Sequence, residues 1–204
     1  MYKLYQYPFS QHSRRVVSLL EEAGLEYESI LVDMANDEHR SAQYRELNPN
    51  HQVPTLLDGD IKLHESNAIL RYLCVKHALT DWYPDDLPAR AAVEQWLDWT
   101  QCRLGPAVTA IVFNRVFMGD KGDQEAIAHG IKQMIELSDI LEKDLAGKVF
   151  LAGDKPTIAD LALASNLFQL GLAKEMPDTE NIQGWYGRVC ELEGFVKSLP
   201  PKQQ

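Results

Sequence analysis

Three short stretches place polar side chains where backbone dipoles can use them. Ser10 follows a strand that stops at Pro8 and stands at the mouth of a helix continuing through Arg14-Arg15. A hydroxyl there sits beside unpaired N–H groups and the positive end of a helix, a setting that stabilises an anion. Ser10 or Ser13 serving only as an N-cap fits the same letters. His51-Gln52-Val53-Pro54 is the second stretch. A residue before proline is held extended, and a cis Val53–Pro54 bond turns the N–H and C=O of Val53 outward, free to pair with a peptide-like ligand. A proline that merely starts an edge strand reads the same way. Glu65-Ser66 is the third: a serine hydroxyl with the first free N–H groups of a helix makes a carboxylate socket, and Glu65 can accept from an amine. An ordinary capped helix with an acidic first turn is the alternative there.

The elements that hold these stretches follow from the pattern. Residues 2–7 alternate and form a strand. Val16, Val17, Leu19, Leu20 and Ala23 recur at helical spacing up to Gly24, and Tyr27 to Val32 reads as a second strand. Residues 54–63 are two short strands around Asp58-Gly59, a hairpin signal. From Glu65 the period is helical again, so the first 77 residues read β-α-β-α-β-β-α. Residues 78–88, with two prolines and no period, form a linker. The rest is helical: a long helix from Ala89 to about Met118 with a bend at Gly105-Pro106, another over 125–145, a capped apolar helix after Thr157-Ile158-Ala159-Asp160, and a last one over about 180–192. The design is a small α/β module followed by a larger all-α module. On one edge of the first module, an anion site, an extended backbone rung and a carboxylate-plus-amine socket together match a zwitterionic tripeptide bearing a thiol.

Composition narrows the partners. The 204 residues carry 20 Lys+Arg against 30 Asp+Glu, a net charge of −10, split 8 against 11 up to residue 80 and 12 against 19 after it. No basic footprint for nucleic acid or an anionic membrane surface appears in either part. A bound anion therefore depends on a few placed groups. Cys74, Cys102 and Cys190 show neither CxxC nor zinc-like spacing, which suits free thiols in a reducing cytoplasm. No signal-like or membrane-spanning apolar run is present.

Asn48-Pro49-Asn50-His51-Gln52-Val53-Pro54-Thr55-Leu56, followed by Leu63-His64-Glu65-Ser66-Asn67-Ala68-Ile69, resembles the glutathione-binding stretch of cytosolic glutathione transferases. The segment from Phe150-Leu151-Ala152-Gly153-Asp154 to Thr157-Ile158-Ala159-Asp160 resembles the family's helical-domain capping segment. The likeness runs through nearly the whole chain. It implies a thioredoxin-like glutathione-binding domain over 1–77, a linker over 78–88, and an all-helical domain over 89–204 contributing the second-substrate pocket. It also implies glutathione as co-substrate without a metal, a small electrophile as second substrate, a homodimer, and a cytoplasmic location.

Carried over by residue, Val53 matches the backbone partner of the cysteinyl unit, Pro54 the cis-proline, and Glu65 and Ser66 the positions holding the γ-glutamyl end. His51 and His39 are placed as in delta-class members, where two histidines face the glycyl carboxylate; His39 reads equally as an exposed loop residue. Ser10-Gln11-His12-Ser13-Arg14-Arg15 resembles the serine-type segment of theta, delta and zeta enzymes, pointing to a bacterial serine-type member. Ser10 then stands in the catalytic place, with Ser13 and Tyr5 as rivals. Asn67 replaces a cation that delta enzymes tend to carry, and His12 stands where the zeta isomerase motif wants Cys. Cys102, Pro106, Thr109, Phe113 and Arg115 fall where the resemblance puts the electrophile pocket. Cys102 reads there as a buried small hydrophobe, and Arg115 as a solvated side chain or a partner for an acidic substrate. In the implied reaction Ser10 donates a hydrogen bond to the glutathione thiolate, which attacks the electrophile. A glutathione-dependent disulfide reductase or peroxidase, and a non-catalytic glutathione-binding module, are the alternatives on the same scaffold.

Overall fold

Alternation in Tyr2-Lys3-Leu4-Tyr5-Gln6 puts Tyr2, Leu4 and Gln6 on one buried face of β1 (Tyr2–Gln6). The computed structural model describes residues 1–201. In it β1 lies between β2 (Tyr27–Leu31), its parallel neighbour with Tyr2 opposite Tyr27, and β3 (Thr55–Asp58), its antiparallel neighbour with Leu4 opposite Leu56. β4 (Ile61–Leu63) closes the edge by an antiparallel hairpin whose turn needs Gly59 at φ +57. The crossover from β1 to β2 is α1 (Gln11–Glu22), and the stretch before β3 holds a short α2 (Ala42–Arg45). α3 (Ser66–Lys76) follows the hairpin and packs against α1. Val16, Leu19 and Leu20 of α1 and Ile69, Leu70 and Leu73 of α3 are all fully buried, each burial worth about 1.5–3 kcal/mol. Asp58 at the hairpin accepts from Lys76 and from the Tyr72 hydroxyl of α3, and both hold its carboxyl below the usual range.

The second unit, residues 81–190, is helical. α4 (Leu87–Trp99) is capped by Asp86, whose side chain accepts from the Ala89 N–H. It runs through a π-helical turn, Thr100–Leu104, into α5 (Gly105–Val112), and a second π-helical turn covers Phe113–Phe117. The expected bend at Gly105-Pro106 is therefore absorbed as a widened turn. Pro106 has no N–H to donate, and Gly105 N–H bonds the Thr100 carbonyl five residues back. α6 (Gln124–Leu145), α7 (Ile158–Leu172) and α8 (Glu180–Val189) complete the unit. α7 is buried along nearly its whole length and packs against α4, α5 and α8. Its N-terminus carries the capping box read from the sequence. Asp160 does more than cap: its carboxylate accepts from Leu151 N–H, Trp185 Nε1–H, Thr157 N–H and the Thr157 hydroxyl at 2.8–3.0 Å.

Residues 191–201, expected from the sequence in the helical domain, group instead with the first unit. Its short α9 (Glu193–Lys197) lies on α1. A Cβ on Gly194 would stand 2.5 Å from the Ser18 carbonyl oxygen, so only glycine permits this approach. Phe195 is fully buried, and the Ser18 hydroxyl donates to Ser198 at 2.9 Å. Among the described residues no helix is long and apolar enough to cross a membrane.

Candidate functional site

After β1 the chain turns at Tyr7-Pro8-Phe9, with Ser10 N–H donating to the Tyr7 carbonyl at 2.9 Å. The buried Arg14 guanidinium clasps this loop from below, donating to the Pro8 carbonyl at 3.4 Å. Ser10 is the N-cap of α1, its Oγ accepting from Ser13 N–H at 3.3 Å. A hydroxyl that accepts through a lone pair keeps its own proton to donate. Capping and anion binding are thus compatible uses of one partly exposed side chain. Ser13 is fully buried, and its Oγ accepts from Tyr7 N–H at 3.3 Å. The Tyr5 ring packs edge-on against Tyr44, 6.1 Å between centroids.

The loop before β3 is held by two side chains that periodicity does not flag. The Tyr44 hydroxyl and the Asn48 amide both donate to the Gln52 carbonyl at 2.8 Å, and both reach the Thr55 hydroxyl. Asn48, 1% exposed, also accepts from Asn50 N–H. An asparagine inside an Asn-Pro-Asn turn reads as a turn former, so its burial is invisible in the letters. The Val53–Pro54 bond is cis. No described residue makes a hydrogen bond to the Val53 backbone.

Glu65 precedes α3 with φ +67 and ψ +102, a conformation L-residues avoid. Its exposed side chain makes no cap hydrogen bond, so it is not the ordinary helix cap that the sequence left as an alternative. Ser66 is buried, and its Oγ lies 3.5 Å from His12 Nδ1 of α1. Burial, then the charge of Arg15, pushes the His12 imidazole down to about 3, so the ring is neutral. Asn67 is not an empty place: its Oδ1 accepts from the buried Arg15 at 2.8 Å, which brings a cation from α1 to the same helix mouth. Burial, then Arg14, lowers the Arg15 guanidinium to about 9.

His39 and His51 line a groove of about 420 Å³ together with Arg40, Arg45, Asn50 and Gln52. His39 is buried, at 9% exposure, and the exposed-loop alternative is dropped. Nδ1 of His39 and Nδ1 of His51 are buried and have no hydrogen-bond partner among the described residues. Two imidazoles and two guanidiniums around one groove are a local basic feature on an acidic chain.

The first 74 residues match the family model for the glutathione S-transferase N-terminal domain, and residues 124–188 match the model for its C-terminal domain. The chain belongs to the glutathione S-transferase family. It is 36% identical over 216 aligned positions to glutathione S-transferase 3 of Zea mays, covering 98% of this chain and 96% of that one. To glutathione S-transferase GstB of Escherichia coli (strain K12) it is 34% identical, covering 92% of each. The crystal structure of poplar glutathione transferase F1 superposes with a TM-score of 0.89 at 27% identity, covering 97% of this chain and 95% of that one.

Two second-unit readings are corrected in this glutathione transferase. Cys102 is exposed: it stands two residues from both Thr100 and Leu104, on the helix side opposite the buried stripe they share with Val93, Trp96 and Leu97. Arg115 already has partners, the Ala173 carbonyl at 3.0 Å and the Glu175 carboxylate.

Proposed function

We propose that this glutathione transferase is of the serine type, holding glutathione on the first unit and using Ser10 to keep the thiol ionised. The observation that carries the reading is the Ser10 hydroxyl, which caps α1 as an acceptor and keeps its proton at the positive end of a twelve-residue helix. A thiol with pKa about 8.5 is mostly protonated at neutral pH, and the thiolate is the nucleophile. The serine is not a base. It donates to sulfur, and a hydrogen bond to a charged group worth roughly 1.5–3 kcal/mol equals about one to two units of pKa.

The rest of the ligand follows the chemistry of the parts. Val53's unoccupied backbone groups pair with the cysteinyl unit. Ser66 donates to the γ-glutamyl carboxylate, and Glu65, free of capping duty, accepts from the γ-glutamyl ammonium. The glycyl carboxylate enters the groove of His39, His51, Arg40 and Arg45, where Nδ1 of each histidine has no partner among the described residues. The thiolate then attacks a small electrophile held close by. Burial pushes the Cys74 thiol up to about 12, which leaves glutathione's sulfur the better nucleophile. The protein works as a homodimer in the cytoplasm, and exposed Val75 and Ile61 supply apolar surface for pairing.

Retention on immobilised glutathione, followed by rates with an aryl halide, an organic peroxide and a mixed disulfide, tests ligand and reaction class together. Retention with conjugation supports the reading. Retention with disulfide reduction alone replaces it by the reductase reading, and retention without turnover by the binding-module one.

A further inference from the structure

His12 joins the two ends of the ligand site, and the transferase reading gives it no task. It follows Gln11 in the first turn of α1, two residues after Ser10, while its imidazole reaches Ser66 at the head of α3. Nε2 faces the Gln11 side-chain amide nitrogen at 3.5 Å, and Nδ1 faces Ser66 Oγ at 3.5 Å. Both distances are long for hydrogen bonds, as in ligand-free sites that tighten around their substrate. With the Gln11 amide nitrogen toward the ring, Nε2 accepts, and the proton of a neutral ring sits on Nδ1. That proton is offered to a lone pair of Ser66. The serine hydroxyl hydrogen is thereby left for the ligand.

We propose that His12 is a positioning residue whose Nδ1–H fixes Ser66 as a hydrogen-bond donor to the γ-glutamyl carboxylate, linking α1 to the α3 socket. The opposite tautomer would have Ser66 donate to the imidazole and turn lone pairs toward a carboxylate, which repels it. The nearby Arg15 and the burial of the ring keep it neutral, so the donor role does not switch off across the physiological range.

The inference rests on the glutathione-binding reading above, and the test separates the two. Calorimetry compares glutathione with γ-aminobutyryl-Cys-Gly, which lacks the α-carboxylate, for the unaltered protein, His12→Leu and His12→Asn. Asparagine places an N–H near the position of Nδ1. The expected result is about five- to tenfold weaker glutathione binding by His12→Leu, recovery to within about twofold by His12→Asn, and no penalty for either variant with the shortened ligand. KM for glutathione rises in His12→Leu while kcat stays unchanged. Nitrogen-15 spectra of the imidazole show the Nδ1–H tautomer.

Equal glutathione affinity of His12→Leu and the unaltered protein overturns this inference alone, as does an Nε2–H tautomer. A penalty that persists with the shortened ligand assigns His12 a merely structural role and also overturns it. Failure of the unaltered protein to bind glutathione overturns the transferase reading, and this inference with it.

Discussion

Glu65→Gly is expected to make the protein more stable and a poorer glutathione binder. The native φ of +67 with ψ of +102 costs a residue with a Cβ about 1–3 kcal/mol. Glycine adopts it freely but loses about 0.5–1 kcal/mol more chain entropy on folding. The exposed Glu65 side chain makes no cap hydrogen bond. The net gain is up to about 2.5 kcal/mol, or a Tm higher by up to roughly 10 °C for a chain of this size. Losing the carboxylate proposed to accept from the ligand's ammonium, about 1.5–3 kcal/mol, is expected to weaken binding about ten- to hundredfold. Scanning fluorimetry without ligand and calorimetry with glutathione read the two effects separately. Glu65→Gln is the control: it keeps the backbone cost, so Tm stays put while affinity falls. A lower Tm for the glycine variant, or unchanged affinity, refutes the idea that strain at Glu65 is retained for binding.

Asp160→Asn destabilises whichever way the amide turns, because each native oxygen accepts from two donors, Leu151 and Trp185 on one, Thr157 twice on the other. The amide nitrogen then faces a donor pair, and the loss is about 2–4 kcal/mol, seen as a Tm lower by roughly 5–15 °C; a shift under about 2 °C would contradict the network's role. Acid should weaken the fold early. His12 is neutral in the folded state down to about pH 3 but protonates near 6.5 when unfolded. The unfolded chain therefore binds the extra proton between those values, and stability falls as pH drops through that window, by up to about 1.4 kcal/mol per unit. His12→Asn should flatten urea-midpoint profiles measured from pH 7 to 4, and an unchanged slope would rule His12 out as the cause.

Much of the first unit is legible because its signals are local. Alternation over residues 2–7, Asp58-Gly59 and the helical period after Glu65 each describe one element without reference to a distant one. Ser10 is ambiguous for a physical reason, since an N-cap and a thiolate donor ask for the same hydroxyl, and the observed cap uses only its lone pair. Arg14 and Arg15 mislead in the other direction. Charged residues on a helix suggest a solvated face, yet both are buried, and Arg15 finds Asn67 fifty-two positions away. The partners of His12 and Asn48 are likewise set by tertiary contact. α9 is too short for a helical period to show, and its place on α1 depends on the missing side chain of Gly194. Pro106 correctly marks an irregularity in the long helix, but a proline cannot tell a bend from a widened turn.

The proposed function requires bound glutathione to carry an ionised sulfur beside Ser10. Ultraviolet titration of the thiolate in the protein–glutathione complex measures this directly, with Ser10→Ala alongside. The bound thiol should titrate about one to two units below 8.5 in the unaltered protein. In the variant it should return toward 8.5, with affinity for glutathione changed only a few-fold. A bound thiol that titrates like the free tripeptide, or the same depressed value in both proteins, would contradict the assignment of Ser10.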